Sequence, residues 1–308
     1  MNNIRQIPDV RPEIPETPVT LKISGNILEV KYMRSVPGTP IRKLDKDHGV
    51  DLRTGEVIDY KHNANRASDK ASVAQSLRKL RDIINANLEN PNSALWVTLT
   101  YAENMKDATQ LYEDYRRFWQ RFCYYLHKHN HPKAEYITAA EPQARGAWHL
   151  HGLFLFPVKA PFIPNADIAK LWGHGFTKTK NLKGIDNPGL YLTAYLGDME
   201  LTEAIRTGIT NGRIVEVNST DEHGNRKRKA VIKGARLHLY PPGFNMYRCS
   251  RGVKRPEVYQ TTEAKAMELV GTSPLTYEKT ISITDEAGEV RNVINYRQYC
   301  KARKIEDG

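Results

Sequence analysis

Apolar residues recur along this chain with two periods, and the switch from one to the other marks its elements. Residues 20–23 and 27–32 are β-favouring runs on either side of Gly25-Asn26, and 50–52 and 57–58 flank a Thr54-Gly55-Glu56 turn. Residues 1–68 therefore read as short strands and turns. From Ser68-Asp69 the spacing becomes helical, with Val73, Leu77, Leu80, Ile84 and Leu88 in one stripe and Arg78, Lys79 and Arg81 on the other face. After Asn90-Pro91-Asn92, residues 94–101 are apolar and β-branched enough for a strand covered on both faces. A second long helix carries Leu111, Tyr115, Phe118, Phe122 and Tyr125 and closes at Asn130-His131-Pro132.

Two strands follow, 134–141 and 147–156, joined through Pro142 and Gly146 as a β-hairpin. A short helix at 166–172, a strand at 175–178 and a helix opened by Asn187-Pro188 come next. Residues 213–217 and 229–233 read as hairpin arms around His223-Gly224-Asn225, and 235–240 as a strand returning to the sheet. The tail predicts a helix over 262–269 and a hairpin around Ala287-Gly288. Strand, long helix, hairpin, helix, strand, helix is the order of an α+β sheet with helices on one side, not of a doubly wound fold. The expected partition is an N-terminal extension, 1–68, a central domain, 69–256, with a basic hairpin insertion near 213–233, and a C-terminal extension, 257–308.

Composition narrows the classes. With 40% hydrophobic and 26% charged residues the chain is not of the disordered kind. Its most apolar stretch, 152–164, is broken by Lys159 and three prolines, short of the roughly 20 residues a membrane span needs. Pro8, Pro12, Pro15 and Pro18 interrupt the start, leaving no apolar region for a secretory signal, so a cytoplasmic location is expected. Cys123, Cys249 and Cys300 form no C-x-x-C pair and read as reduced and structural. No G-x-x-x-x-G-K-[S/T] run marks a built-in ATP motor.

Lysines and arginines number 46 against 35 acids, a net charge of +11, which favours a polyanionic partner. Residues 226–255 hold ten Lys/Arg and no acid, with Tyr240, Phe244 and Tyr247 interleaved. That suits a groove tracking phosphates and stacking bases, with Arg226, Lys227, Arg228, Lys229, Arg248, Arg251, Lys254 and Arg255 as candidate DNA contacts. A solvated Lys/Arg-rich hairpin has the same pattern.

The sharpest chemical signal is His149-Leu150-His151 within the second strand of the hairpin. Alternation points His149 and His151 to one face and Leu150 to the core. Glu141, at the end of the partner strand, can face the same ion. Two imidazoles and a carboxylate leave positions open, the design of a catalytic site. Phosphate chemistry favours Mn²⁺ or Mg²⁺, though the nitrogens also accept Zn²⁺, Co²⁺ or Ni²⁺. Downstream, Tyr191 and Tyr195 lie four apart on the helix begun by Pro188 and share a face. They suit a nucleophile pair near a metal-polarised phosphate, or a core pair packed with Leu192 and Leu196.

Together these segments resemble the HUH endonucleases, in particular the rolling-circle replication initiators of plasmids and single-stranded DNA phages from Gram-positive bacteria. Residues 95–101 are similar to that family's first motif, EPQARGAWHLHGLFLF at 141–156 to its second, and Tyr191–Tyr195 to its third. The resemblance spans about 70–200 and extends towards Arg251-Gly252-Val253-Lys254-Arg255-Pro256. It implies a central antiparallel sheet with helices packed on it, a metal held by Glu141, His149 and His151, Tyr191 as nucleophile, and Tyr195 as a second tyrosine. It also implies a partner of single-stranded or hairpin origin DNA, a 5′-phosphotyrosine intermediate, and a host polymerase and helicase. The family's third motif usually reads Tyr-x-x-Lys-Tyr, whereas Ala194 stands at the Lys position here and Asp198 follows Tyr195 at the equivalent spacing. Lys178, Lys180 and Lys183 are nearby substitutes. A non-cleaving DNA-binding regulator is the alternative of a different class, and a relaxase or single-strand transposase shares the motifs.

Overall fold

The N-terminal alternation is realised as strands β1 (Asn3–Ile7), β2 (Pro18–Ser24) and β3 (Ile27–Met33), the last two joined by a tight turn with Gly25 at φ 58°. Strands β4 (Ile41–Lys43), β5 (His48–Asp51) and β6 (Val57–Asp59) form a small antiparallel sheet. The central part runs α1 (Lys70–Asn87), β7 (Ala94–Thr100), α2 (Ala108–Lys128), β8 (Glu135–Pro142), β9 (Trp148–Leu155), α3 (Asn165–Trp172), β10 (Thr177–Lys180) and α4 (Pro188–Thr193). It continues through β11 (Met199–Glu200), α5 (Leu201–Thr207), β12 (Ile214–Thr220), β13 (Arg226–Ile232) and β14 (Tyr247–Cys249). Strand β15 (Glu257–Thr262), α6 (Glu263–Val270), β16 (Leu275–Thr284) and β17 (Val290–Cys300) complete the chain.

This computed structural model describes residues 3–35, 38, 40–60, 66–180, 182, 187–193, 196–209, 212–220 and 226–303. It is α+β, with antiparallel sheets and six α-helices among the described residues. Two units emerge, Met1–His62 with Arg255–Gly308, and Asn63–Lys254. None of the helices is long and apolar enough to cross a membrane.

In the first unit both ends of the chain build one six-stranded sheet, ordered β1-β16-β17-β3-β2-β15. Val19, Leu21, Leu28 and Val30 bury one of its faces under Ala266 and Val270 of α6. Arg297 is buried there with both terminal guanidinium nitrogens on the Glu263 carboxylate, at 2.6 and 2.7 Å, so its charge is paired where an isolated one would be costly.

The second unit is built on a five-stranded sheet, β10-β7-β9-β8-β14. Asp69 starts α1 by accepting from the Ser72 amide, and Asp107 starts α2 by accepting from Thr109 and Gln110. The sheet carries helices on both faces, not on one. Val97, Leu99, Leu150 and Phe154 pack with Leu111, Phe118 and Phe122 of α2 and Trp172 of α3. The alternate residues Ala94, Ile137, Ala139, Leu153 and Leu155 pack with Leu80, Ile83, Ile84 and Leu88 of α1 and with Leu192 of α4. The cause is the pleat: strands apolar at successive positions need cover on both sides. Residues 235–240 also differ from expectation. They form turns and a short 3₁₀ segment, Leu237–Leu239, after Gly234 at φ 69°, and the strand that returns to the sheet is β14, beside β8.

Candidate metal centre

Register assembles the site. Pairing of β8 with β9 sets Glu141 opposite His149 and Ala139 opposite His151, and pairing of β7 with β9 sets Thr100 opposite His149 and Thr98 opposite His151. Cross-strand partners share a face, so the carboxylate and both imidazoles rise from one side of the sheet while Leu150 is buried on the other. Nε2 of His149 lies 3.0 Å and Nε2 of His151 lies 3.2 Å from Oε2 of Glu141, and one donor atom from each residue falls within 4.8 Å of the others.

The second carboxylate oxygen is held separately. Oε1 of Glu141 accepts from the Gly197 amide at 3.2 Å and lies 3.8 Å from Nε of Arg236. Burial pushes the Glu141 carboxyl up, but the hydrogen bonds from His149 and His151 outweigh it and hold the group well below the carboxylate range. Burial also lowers the pKa of His149, against the pull of Glu141. The result is an ionised carboxylate beside an imidazole biased towards its neutral, ligating form. Trp96 stacks on His151, ring centroids 5.3 Å apart and planes 3° from parallel, and Thr98 Oγ1 lies 3.4 Å from Nδ1 of that ring. With Nε2 given to a cation, Nδ1 carries the proton and Thr98 Oγ1 can accept its hydrogen bond, the usual outer support of a ligating histidine. The donor set therefore fits a divalent cation, and these three residues can hold one.

Helix α4 brings Tyr191 to this side of the unit. It is seated on α1 by Asn85, whose Oδ1 accepts from the Gly189 amide at 2.7 Å and whose Nδ2 donates to Asn187 Oδ1 at 3.0 Å. Leu192 and Leu196 bury in the cluster formed with α1, and the next residue is Gly197, which binds Glu141. The chain thus passes from the tyrosine helix directly onto the candidate metal ligand. Tyr191 is placed by its backbone, while its side chain, together with Lys183, Ala194 and Tyr195, lies outside the described residues. A Cβ on Gly189 would come within 2.3 Å of the Arg81 carbonyl oxygen and 2.6 Å of Asn85 Oδ1. Gly189→Ala is therefore expected to push α4 off α1, costing about 1–3 kcal/mol, and a melting temperature equal to the wild type's would refute that seating.

Residues 94–200 match the family model of the replication-associated protein ORF2. The ORF2 match covers about a third of the chain, from β7 through β11, and contains Glu141, His149, His151, Tyr191 and Tyr195. No curated protein matches the chain.

Outside the ORF2 stretch the basic residues divide by environment. Arg226 and Lys227 lie on β13 opposite Thr220 and Ser219, with side chains outside the described residues. Arg228 is exposed, 3.8 Å from Glu216, and Lys229 pairs with Glu200. Arg248 lies over the Tyr112 ring, 3.3 Å from its centroid. Its register partner Thr138 alternates with Ala139, so Arg248 occupies the face away from the metal ligands. Arg251 and Lys254 are exposed; the Lys254 backbone bonds Asn87. Arg255 belongs to the other unit. Two of the three interleaved aromatics are engaged within the unit: Tyr240 is buried with its hydroxyl donating to the Ala140 carbonyl, and Phe244 stacks on Trp148 at 4.7 Å. Asp198 accepts from Lys233 at 2.6 Å and from the Gly234 amide at 2.9 Å. Asn85, Gly197 and Arg236, all of which shape the site, carry no motif signal; Arg236 falls in the segment that reads as a strand.

Proposed function

We propose that this protein is a rolling-circle replication initiator that cuts and rejoins single-stranded origin DNA through Tyr191. The observation that carries the reading is the convergence of Glu141, His149 and His151 on one point, within the stretch matching the ORF2 model, with Glu141 bound by the amide of Gly197, four residues beyond the tyrosine helix. Mn²⁺ or Mg²⁺ held there would polarise the scissile phosphate and offset the charge that builds on its oxygens. Glu141 and the two histidines fix the place where that phosphate meets the protein, and α4 delivers the Tyr191 hydroxyl to it. The tyrosyl oxygen bonds to phosphorus, the bond from phosphorus to the 3′-oxygen breaks, and that oxygen takes up a proton as the tyrosine loses one. The products are a 5′-phosphotyrosine and a 3′-hydroxyl for a host polymerase, and a host helicase opens the duplex. The ester conserves the bond energy, so a later 3′-hydroxyl reverses the step without ATP. Tyr195 is the second nucleophile for finishing a circle.

The test is a labelled single-stranded origin oligonucleotide incubated with protein and Mn²⁺, then run on a denaturing gel. A retarded, protease-sensitive band that disappears with EDTA is expected. Ala194 at the position of the resembled family's lysine favours a second reading, a regulator that binds without cutting; tight binding with no such band selects it. The basic hairpin serves DNA affinity in the first reading. Replacing Arg226, Lys227 and Arg228 with Ala is expected to lower the slope of log affinity against log salt by about 0.7 for each phosphate the hairpin no longer neutralises. An unchanged slope would make the hairpin a solvated arm.

A further inference from the structure

Phe176 and the edge strand that follows it, β10, place an aromatic ring and two lysines on the face of the candidate metal ligands, and the function proposed above uses none of them. Thr177 is buried against Asn165, its hydroxyl 3.2 Å from Asn165 Oδ1. Side chains alternate along a strand, so Lys178 and Lys180 take the opposite face, and Phe176, the residue before the strand, continues the pairing with β7 through its carbonyl. The amide and hydroxyl of Thr100 both donate to the Phe176 carbonyl, at 2.9 and 2.6 Å, and Lys178 pairs with Thr98. Two cross-strand rows follow from the pairing. One, extended past the end of β10 by the Thr100–Phe176 hydrogen bonds, runs Phe176, Thr100, His149, Glu141, and the next reads Lys178, Thr98, His151, Ala139.

Phe176 is 66% exposed, and its position is imposed by the backbone. Gly175 has φ 154°, and a Cβ there would lie 2.5 Å from the Ala102 amide nitrogen and 2.7 Å from the Thr100 carbonyl oxygen. Only glycine lets the chain pass that close, so the chain enters β10 with Phe176 fixed beside Thr100. Two strand spacings, about 10 Å, separate it from His149. A lone exposed apolar residue needs no explanation. This one lies on the row of the metal ligands, with positive charge along the same face of its strand, which is the pairing of stacking surface and phosphate attraction that single strands require.

Resting on the reading that the metal ligands meet a scissile phosphate, we propose that Phe176 and β10 are the subsite for the nucleotides flanking the cut: Phe176 stacks on a base while Lys178 and Lys180 attract the adjoining phosphates. The occupant is single-stranded DNA, laid along the outer edge of the sheet. Because the contact is through a ring face, it accepts any base and leaves sequence choice to other parts of the molecule.

Fluorescence anisotropy on the full chain in EDTA tests this without cleavage, using a labelled oligothymidylate and an abasic oligomer of equal length. Phe176→Ala is expected to weaken oligothymidylate binding about tenfold and leave the abasic oligomer unchanged, with Phe176→Trp restoring affinity. Lys178→Ala is expected to lower the salt slope by about 0.7 for both oligomers. Equal affinities of wild type and Phe176→Ala for oligothymidylate, or equal losses on both oligomers, would overturn the stacking site. The exposure of Phe176 predicts an unchanged melting temperature, so misfolding is separable. A wild type that forms the covalent adduct while Phe176→Ala binds normally would refute this subsite alone; a wild type that neither binds single strands nor forms an adduct would refute the function as well.

Discussion

Tyr191→Phe is expected to abolish the covalent DNA adduct while leaving the fold and single-strand binding intact. The substitution removes one oxygen, the atom assigned to attack phosphorus, and leaves a ring that cannot form the ester. Loss of a nucleophile of this kind lowers turnover by at least about three orders of magnitude. The helix itself should not notice. Leu192 is buried in the cluster shared with α1, Thr193 donates to the Gly189 carbonyl at 2.7 Å, and Gly189 is locked to Asn85, so α4 is held by residues other than Tyr191. Tyr195→Phe made in parallel should retain the first nick and lose only a second transfer, seen as adduct that accumulates instead of resolving. The denaturing gel separates the assignments: an undiminished adduct in Tyr191→Phe overturns the nucleophile, and loss in Tyr195→Phe alone transfers the role to that residue.

What the sequence made legible is what local periodicity controls. The stripes of α1 and α2 follow from 3.6-residue spacing, and the placing of Glu141 with His149 follows from a tight hairpin whose two-residue period fixes the face. What stayed hidden depends on pairings distant in sequence. Helices on both sides of the sheet require knowing that α1 takes Leu153 and Ile137 while α2 takes Phe154 and Leu150, a choice no single strand records. The six-stranded sheet joins β3 to β17, beyond the reach of any window. Arg236 illustrates the same limit within the site. Its surroundings read as a strand, yet Gly234 turns the chain, and the guanidinium reaches the Pro142 and Asp198 carbonyls and the Glu203 carboxylate. The acids that answer the basic run are hidden for a related reason: Lys229, Lys233 and Arg236 meet acids at 200, 198 and 203, pairings that the composition of 226–255 does not record.

Replacing His149 or His151 with Ala is expected to reduce Mn²⁺ affinity by more than about 100-fold, the range reached by loss of an outer supporting partner alone, and to bring cleavage down to the level seen in EDTA. Stability should fall less than function. Each histidine gives Glu141 one hydrogen bond, and with one ring removed the carboxylate keeps the other ring, the Gly197 amide and the nearby Arg236 charge. A single loss of that kind costs about 1–3 kcal/mol. The double variant strips both imidazoles from Oε2 of a buried carboxylate, so its cost should exceed the sum of the single losses. Glu141→Gln separates charge from shape: it keeps the hydrogen-bonding size but removes the negative charge that a cation and Arg236 both answer to, so metal binding should be lost and the melting temperature lowered together. Titration calorimetry with Mn²⁺, read beside thermal melting of the same samples, distinguishes these patterns. Normal Mn²⁺ affinity in either histidine variant would show that the cluster is a hydrogen-bonded triad of the sheet surface and not a metal centre.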